Sequence, residues 1–185
     1  MDNLAICLIL AGLLMDVFSA ALGIYTLAKQ RIAISIGLSL AFAVFLFGFS
    51  LGGYYTGQSL SQYFGAWAFY VLFFIGLMLG LKIISATRKK NVPKRVFQIS
   101  SVRDGLIVSF AGGINAFALF IPLGMILETP WETSGIFAVS AIPVALCGFA
   151  AGKKKLEQTI QMVGLMAGIL LIGSTLVVLF RVLNA

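Results

Sequence analysis

Apolar residues run in long stretches along this chain, and polar residues are confined to short breaks between them. Six such runs can be drawn, at about 4–28, 32–56, 64–87, 104–127, 134–152 and 159–181. Each approaches the roughly 20 residues that a helix needs to cross a hydrocarbon core of about 30 Å. In lipid the backbone must satisfy its own hydrogen bonds, and these runs are too long and too uniformly apolar for barrel strands. The pattern predicts an all-α polytopic membrane protein with six transmembrane helices. No soluble domain is left over. The first run lacks a basic leader and a clean cleavage site, so it reads as a retained span rather than a signal peptide.

Charge placement orients the spans. Lys29 and Arg31 follow the first run, Arg88, Lys89, Lys90, Lys94, Arg95 and Arg103 follow the third, and Lys153, Lys154 and Lys155 follow the fifth. The break after the second run carries no charge, and the break after the fourth carries only Glu128 and Glu132. Basic breaks face the cytoplasm, which puts both termini outside and, for a bacterial chain, the protein in the inner membrane. Only Arg181 dissents. Trp67, Trp131, Tyr54, Tyr55 and Tyr63 fall at the outer boundary and read as an aromatic belt.

The two halves echo each other. Met15-Asp16-Val17-Phe18 and Ile114-Asn115-Ala116-Phe117 stand 99 residues apart, each inside the first run of its half. Gly48-x-x-x-Gly52 in the second run matches Gly148-x-x-x-Gly152 in the fifth. Gly76-x-x-x-Gly80 in the third matches Gly164-x-x-x-Gly168 in the sixth. Small residues at this spacing let membrane helices approach closely, and they also suit a homo-oligomer interface. With three spans per half, the second half must be inverted. The predicted organisation is a first three-helix repeat (1–87), a basic cytoplasmic linker (88–103) and a second repeat (104–185), an architecture that binds substrate near the midplane.

Composition agrees with lipid as the solvent: 61% of residues are hydrophobic and 10% are charged, too apolar for a soluble domain of this length. The net charge of +7 belongs to topology and to anionic headgroups beside the linker, not to nucleic acid. Cys7 and Cys147 fall toward opposite faces and read as small core residues. With no histidine in the chain, zinc and other soft metals lack their usual ligands. No nucleophile with a base partner and no phosphate-binding loop appears, so no enzyme is expected and no bound cofactor.

Asp16 is the residue this composition makes conspicuous. A carboxylate at mid-depth costs about 2.5–3.5 kcal/mol on insertion scales, and such groups face a bundle interior or an aqueous path. Asn115 is its counterpart. If the halves pack about a two-fold axis, one carboxylate and one amide oxygen converge as hard ligands, suited to manganese, magnesium or calcium. Pro122 removes a backbone donor and frees the carbonyl of Ala118, with Gly23 as the matching weak point in the first run. Ser19 and Ser109 offer hydroxyls, although bonding back to their own helices is the commoner fate. Lys82, near the cytoplasmic end of the third run, reads as a side chain that snorkels to the headgroups.

Met15-Asp16-Val17-Phe18-Ser19-Ala20, ending in Gly23, resembles the first-helix motif of the bacterial manganese efflux pumps (MntP-type), of the lysine-exporter superfamily. The likeness extends through the basic first loop, the glycine-rich second helix, Gly80-Leu81-Lys82-Ile83-Ile84 and Gly148 to Gly152. It departs from that pattern at three places. Asn115 stands where the family repeats its aspartate, Pro122 where it has glycine, and Ala41 near where it has a second-helix glutamate. The resemblance implies export of a small cation, manganese first, with Asp16 as principal ligand or proton carrier and Asn115, Ser19, Ala118 and Pro122 around it. Fewer carboxylates imply weaker manganese binding or another solute. The alternative from a different class is a non-transporting membrane scaffold that offers its glycine faces to partners.

Overall fold

The computed structural model describes residues 3–24, 32–88, 102–127, 129–151 and 156–183. The basic breaks at Lys29 to Arg31, most of the 88–103 linker, Lys153 to Lys155 and Glu128 lie outside these residues. Six helices form: α1 (Asn3–Gly23), α2 (Ile32–Phe64), α3 (Ala68–Arg88), α4 (Val102–Ile126), α5 (Pro130–Ala151) and α6 (Leu156–Leu183). A single 3₁₀ turn, Gly65–Trp67, joins α2 to α3. All six helices are long and apolar enough to cross a membrane, and the protein is a multi-pass membrane protein.

Helix boundaries differ from the sequence expectation at two places. With its 33 residues, α2 is about 50 Å long at 1.5 Å per residue, well beyond a hydrocarbon core. It continues through Gln58 and Ser61, which a hydropathy pattern assigns to a loop. The start of α5 moves the other way. Pro130 opens it, a position where proline's missing N–H would be unpaired anyway, and Trp131 and Glu132 belong to its first turn rather than to a loop.

Lipid-facing and core positions are both apolar, so packing rather than polarity tells them apart. Val44, Ile136, Val139, Met162 and Phe180 are exposed apolar side chains on the outside of the bundle, where acyl chains cover them. Phe42, Leu46, Leu72, Phe120 and Phe137 are fully buried and form the centre. Cys7 and Cys147 are free and exposed, rather than core residues. Tyr54 departs from the expected belt. It is 1% exposed, and its hydroxyl donates to the backbone carbonyl of Leu127 at the end of α4.

Helix pairing follows one rule. Every substantial helix–helix contact joins a member of α1–α3 to a member of α4–α6: α2 with α4 and α5, α1 with α4, α5 and α6, and α3 with α4 and α6. Exchanging the halves, α1 for α4, α2 for α5 and α3 for α6, leaves this scheme unchanged. Individual contacts match as well. A Cβ on Gly80 would lie 2.9 Å from the carbonyl oxygen of Gly168, and one on Gly168 would lie 2.8 Å from that of Gly80. Gly76 faces Thr175, and its counterpart Gly164 faces Thr87.

The same reciprocity corrects the glycine match in α2. Gly148 of α5 packs on the Phe18 carbonyl and Ala21, while Gly53 of α2 packs on the corresponding Phe117 carbonyl and Phe120. The structural partner of Gly148 is thus Gly53 rather than Gly48. Gly48 has nothing within 4 Å. These close approaches lie inside one chain, so Gly76, Gly80, Gly148, Gly164 and Gly168 are not available to a second copy.

Replacing Gly80 with leucine forces side-chain atoms into the Gly168 backbone. Overpacking of this kind costs about 1–3 kcal/mol. The thermal midpoint of the detergent-solubilised protein is expected to fall by several degrees, whereas Gly48→Leu leaves it in place. Equal midpoints for the two variants would contradict the crossing described here.

Candidate functional site

Three side chains from three helices meet at the level where α1 passes α4. Nδ2 of Asn115 on α4 donates to Oδ2 of Asp16 on α1 at 3.1 Å. Nζ of Lys82 on α3 donates to Oδ1 of the same Asn115 at 2.8 Å. The amide orientation follows from its neighbours, because an ammonium needs an acceptor and a carboxylate needs a donor. Asp16 and Asn115 are half-buried, and Lys82 is exposed. The Lys82 expectation is therefore corrected: the side chain reaches into the bundle and completes a chain with the two residues that the repeat pattern singled out.

This cluster forms the inner wall of a cavity of about 270 Å³. Ser19 and Ala20 of α1, Ile83, Ala86 and Thr87 of α3, Val108 of α4, and Ile160 and Gln161 of α6 complete the lining. All of these lie between Asp16–Asn115 and the end of the bundle where α1, α3 and α5 finish and α4 and α6 begin. The cavity therefore opens toward the end that carries the basic breaks. Gly164 lets Thr87 pack closely against α6 beside it. A Cβ there would sit 2.5 Å from the Thr87 hydroxyl and 3.5 Å from that of Ser19.

The opposite end is closed. Carrying the lining residues across to the matching positions of the other half gives Ile9, Leu72, Leu119, Leu171, Ser174 and Thr175, which are buried, and Phe73, Ala118 and Leu170, which are half-buried. The Ser174 and Thr175 hydroxyls donate to the Leu171 carbonyl within their own helix, at 2.9 and 3.1 Å. Beyond them α2 and α4 touch backbone to backbone, with Gly57 against Ile121 and Gly124 against Tyr54.

Of the residues expected to form the site, Asp16, Asn115 and Ser19 share the cavity. Ala118 and Pro122 do not line it. Ala118 is half-buried against the core, and Pro122 is buried farther along α4. Pro122 stands inside an α4 that continues to Ile126, so the carbonyl of Ala118 lacks its usual donor from residue 122. Ser109 donates to the Gly105 carbonyl at 2.9 Å, within its own helix. Lys82, Thr87 and Gln161 are the members that sequence reasoning did not assign. For Thr87 a signal existed: it stands to Gly164 as Thr175 stands to Gly76.

Among the described residues, no group of three or more His, Cys, Asp or Glu side chains is placed to hold a metal ion. The donors here are one carboxylate, one amide oxygen already taken by an ammonium, and hydroxyl and amide oxygens at the wall. All are hard oxygen donors, which fit manganese, magnesium or calcium in kind though not in number.

No solved structure matches this chain. The profile of a family described as "Putative manganese efflux pump" matches residues 28–179. A protein of Bacillus pumilus named "Putative manganese efflux pump MntP" is 29% identical over 168 residues, covering 90% of this chain and 89% of the relative. One of Wolinella succinogenes, "Putative manganese efflux pump MntP 1", is 26% identical over 162 residues and 88% of each chain. One of Actinobacillus succinogenes with the MntP name is 24% identical over 171 residues, covering 92% of this chain and 91% of that one. With the profile matched over most of its length, the chain belongs to the family of manganese efflux pumps.

Proposed function

We propose that the protein exports a small cation, manganese first, by alternating access around Asp16 and Asn115. One observation carries the reading. The Asp16–Asn115 bond lies at the inner end of an open cavity whose largely apolar wall carries Ser19, Lys82, Thr87 and Gln161, while most of the matching positions toward the other end are buried. A carrier at rest in one of two related states has this asymmetry.

The exchange-invariant helix pairing supports two inverted three-helix repeats. The positions of the basic residues support a cytoplasmic opening, with both termini outside the inner membrane. In this reading the ion enters beside Ser19, Thr87 and Gln161 and is held by Asp16 and Asn115. It leaves after the halves rock, through the opening that Ala118, the counterpart of Ser19, and the carbonyl freed by Pro122 would then line. The names of the relatives support manganese, and the hard-oxygen donor set agrees with it.

The energetics favour transport over a structural role for Asp16. An interhelical hydrogen bond in a membrane contributes about 0.6 kcal/mol on average and up to about 1.7. Placing the carboxylate at mid-depth costs about 2.5–3.5 kcal/mol. The bond offsets only part of this, so a chain that needed glue alone would do better with a neutral pair. A scaffold reading also needs free glycine pairs, and Gly76, Gly80, Gly164 and Gly168 are occupied within the chain.

In a strain lacking its manganese exporter, the native chain is expected to restore manganese tolerance and lower the cell's manganese content. Asp16→Asn removes that rescue at equal membrane abundance. Asn115→Asp adds a second carboxylate, and tenfold tighter manganese binding is the expected result. Rescue that survives Asp16→Asn would defeat the proposal.

A further inference from the structure

The chain from Lys82 through Asn115 to Asp16 puts a fixed positive charge where a transported cation must bind. We propose that Lys82 is a resident cation: in the empty protein its ammonium holds the cation's place, and it withdraws when the ion binds. This rests on the reading of the cavity as a cation pathway.

Competition for one atom is the first argument. Asn115 Oδ1 is the amide oxygen that a metal bound at Asp16 would use, and it accepts from Lys82 Nζ at 2.8 Å. An ammonium and a divalent ion cannot share that oxygen, because two cations within a few ångströms repel strongly away from bulk water. Binding therefore requires Lys82 to move. It has somewhere to go. Lys82 is exposed, and its four-carbon stem springs from the half of α3 nearer the cavity mouth, where an ammonium can return to water.

Charge balance is the second argument. Asp16 and Lys82 are the only ionisable residues lining the cavity among the described residues, and their formal charges cancel. An exporter must return empty after releasing its ion. A bare carboxylate carried through a closed, dry intermediate is costly at membrane depth, and Lys82 removes that charge for the return step. Sidedness is the third. The position matching Lys82 in the other half is Leu170, an apolar residue packed 3.3 Å from where a Gly12 Cβ would lie. The device exists on the open side only.

Selectivity follows from the exchange. A monovalent ion replaces the ammonium with a charge of equal size and gains nothing at Asp16. A divalent ion gains a stronger attraction while displacing the same ammonium. Lys82 thus raises the threshold for every cation and favours the doubly charged ones.

The test uses the purified full-length protein, titrated with manganese in detergent and then reconstituted in vesicles. Lys82→Gln and Lys82→Met are expected to bind manganese at least tenfold tighter than the native chain. Lys82→Arg, which keeps the charge, is expected to bind in the weaker native range. In vesicles, the two neutral variants keep manganese-for-manganese exchange, which needs no empty return, and lose net efflux at least fivefold. If both neutral variants bind no tighter than the native chain while Asp16→Asn abolishes binding, the role of Lys82 is refuted and the carrier reading stands. Absence of manganese binding by the native chain, or binding indifferent to Asp16→Asn, overturns both.

Discussion

A polar atom at membrane depth has no water to turn to, so it must find its partner within the protein. Asp16 meets this constraint through Asn115, which lies in the other half of the chain. That requirement ties α1 to α4 across the halves, which interlock instead of packing side by side. The pairing of every substantial contact across the halves is the same statement on a larger scale. Neither half could form this bundle without the other.

Close backbone approach supplies what the polar bond does not. Lipid gives helices no hydrophobic reason to associate, so van der Waals packing between small residues must hold them. The Gly80–Gly168 crossing and the Gly53 and Gly148 contacts bring backbones together at matched places. Packing density is not equal at the two ends. Ile9, Leu72 and Leu171 are buried at one end, whereas a cavity bordered by Ser19, Thr87 and Gln161 lies at the other. The contacts pair across an exchange of halves, yet the described cavity lies toward one end of the bundle, and the carrier proposed above rests on that difference.

Much of this was legible in the chain. Long apolar runs define helices in lipid almost regardless of detail, and an aspartate and an asparagine at matched positions announce each other. What was not legible depended on direction and register. Lys82 lies close enough to a helix end that snorkelling and reaching inward are both sterically open, and hydropathy cannot tell which way a flexible side chain points. Tyr54 has the residue type of an interfacial anchor, yet it faces α4 and its hydroxyl meets the carbonyl of Leu127. The glycine register slipped by five positions because Gly48, Gly52, Gly53 and Gly57 offer overlapping spacings. Only the partner helix chooses among them. Gln161 carries no motif, since a wall residue is defined by the space it borders.

The substitution at Asn115 is best understood together with Lys82. An amide can donate to a carboxylate and accept from an ammonium at once, and Asn115 does both. An aspartate at that position, as the family pattern supplies, can only accept. It would set two carboxylates against each other, with Lys82 left to neutralise one of them. In this chain the amide transmits polarity between one acid and one base and leaves the empty site without net charge. Asparagine is therefore more than a lost ligand. It links the acid to the base, and under the proposed role of Lys82 an incoming ion would have to displace the ammonium that this link holds.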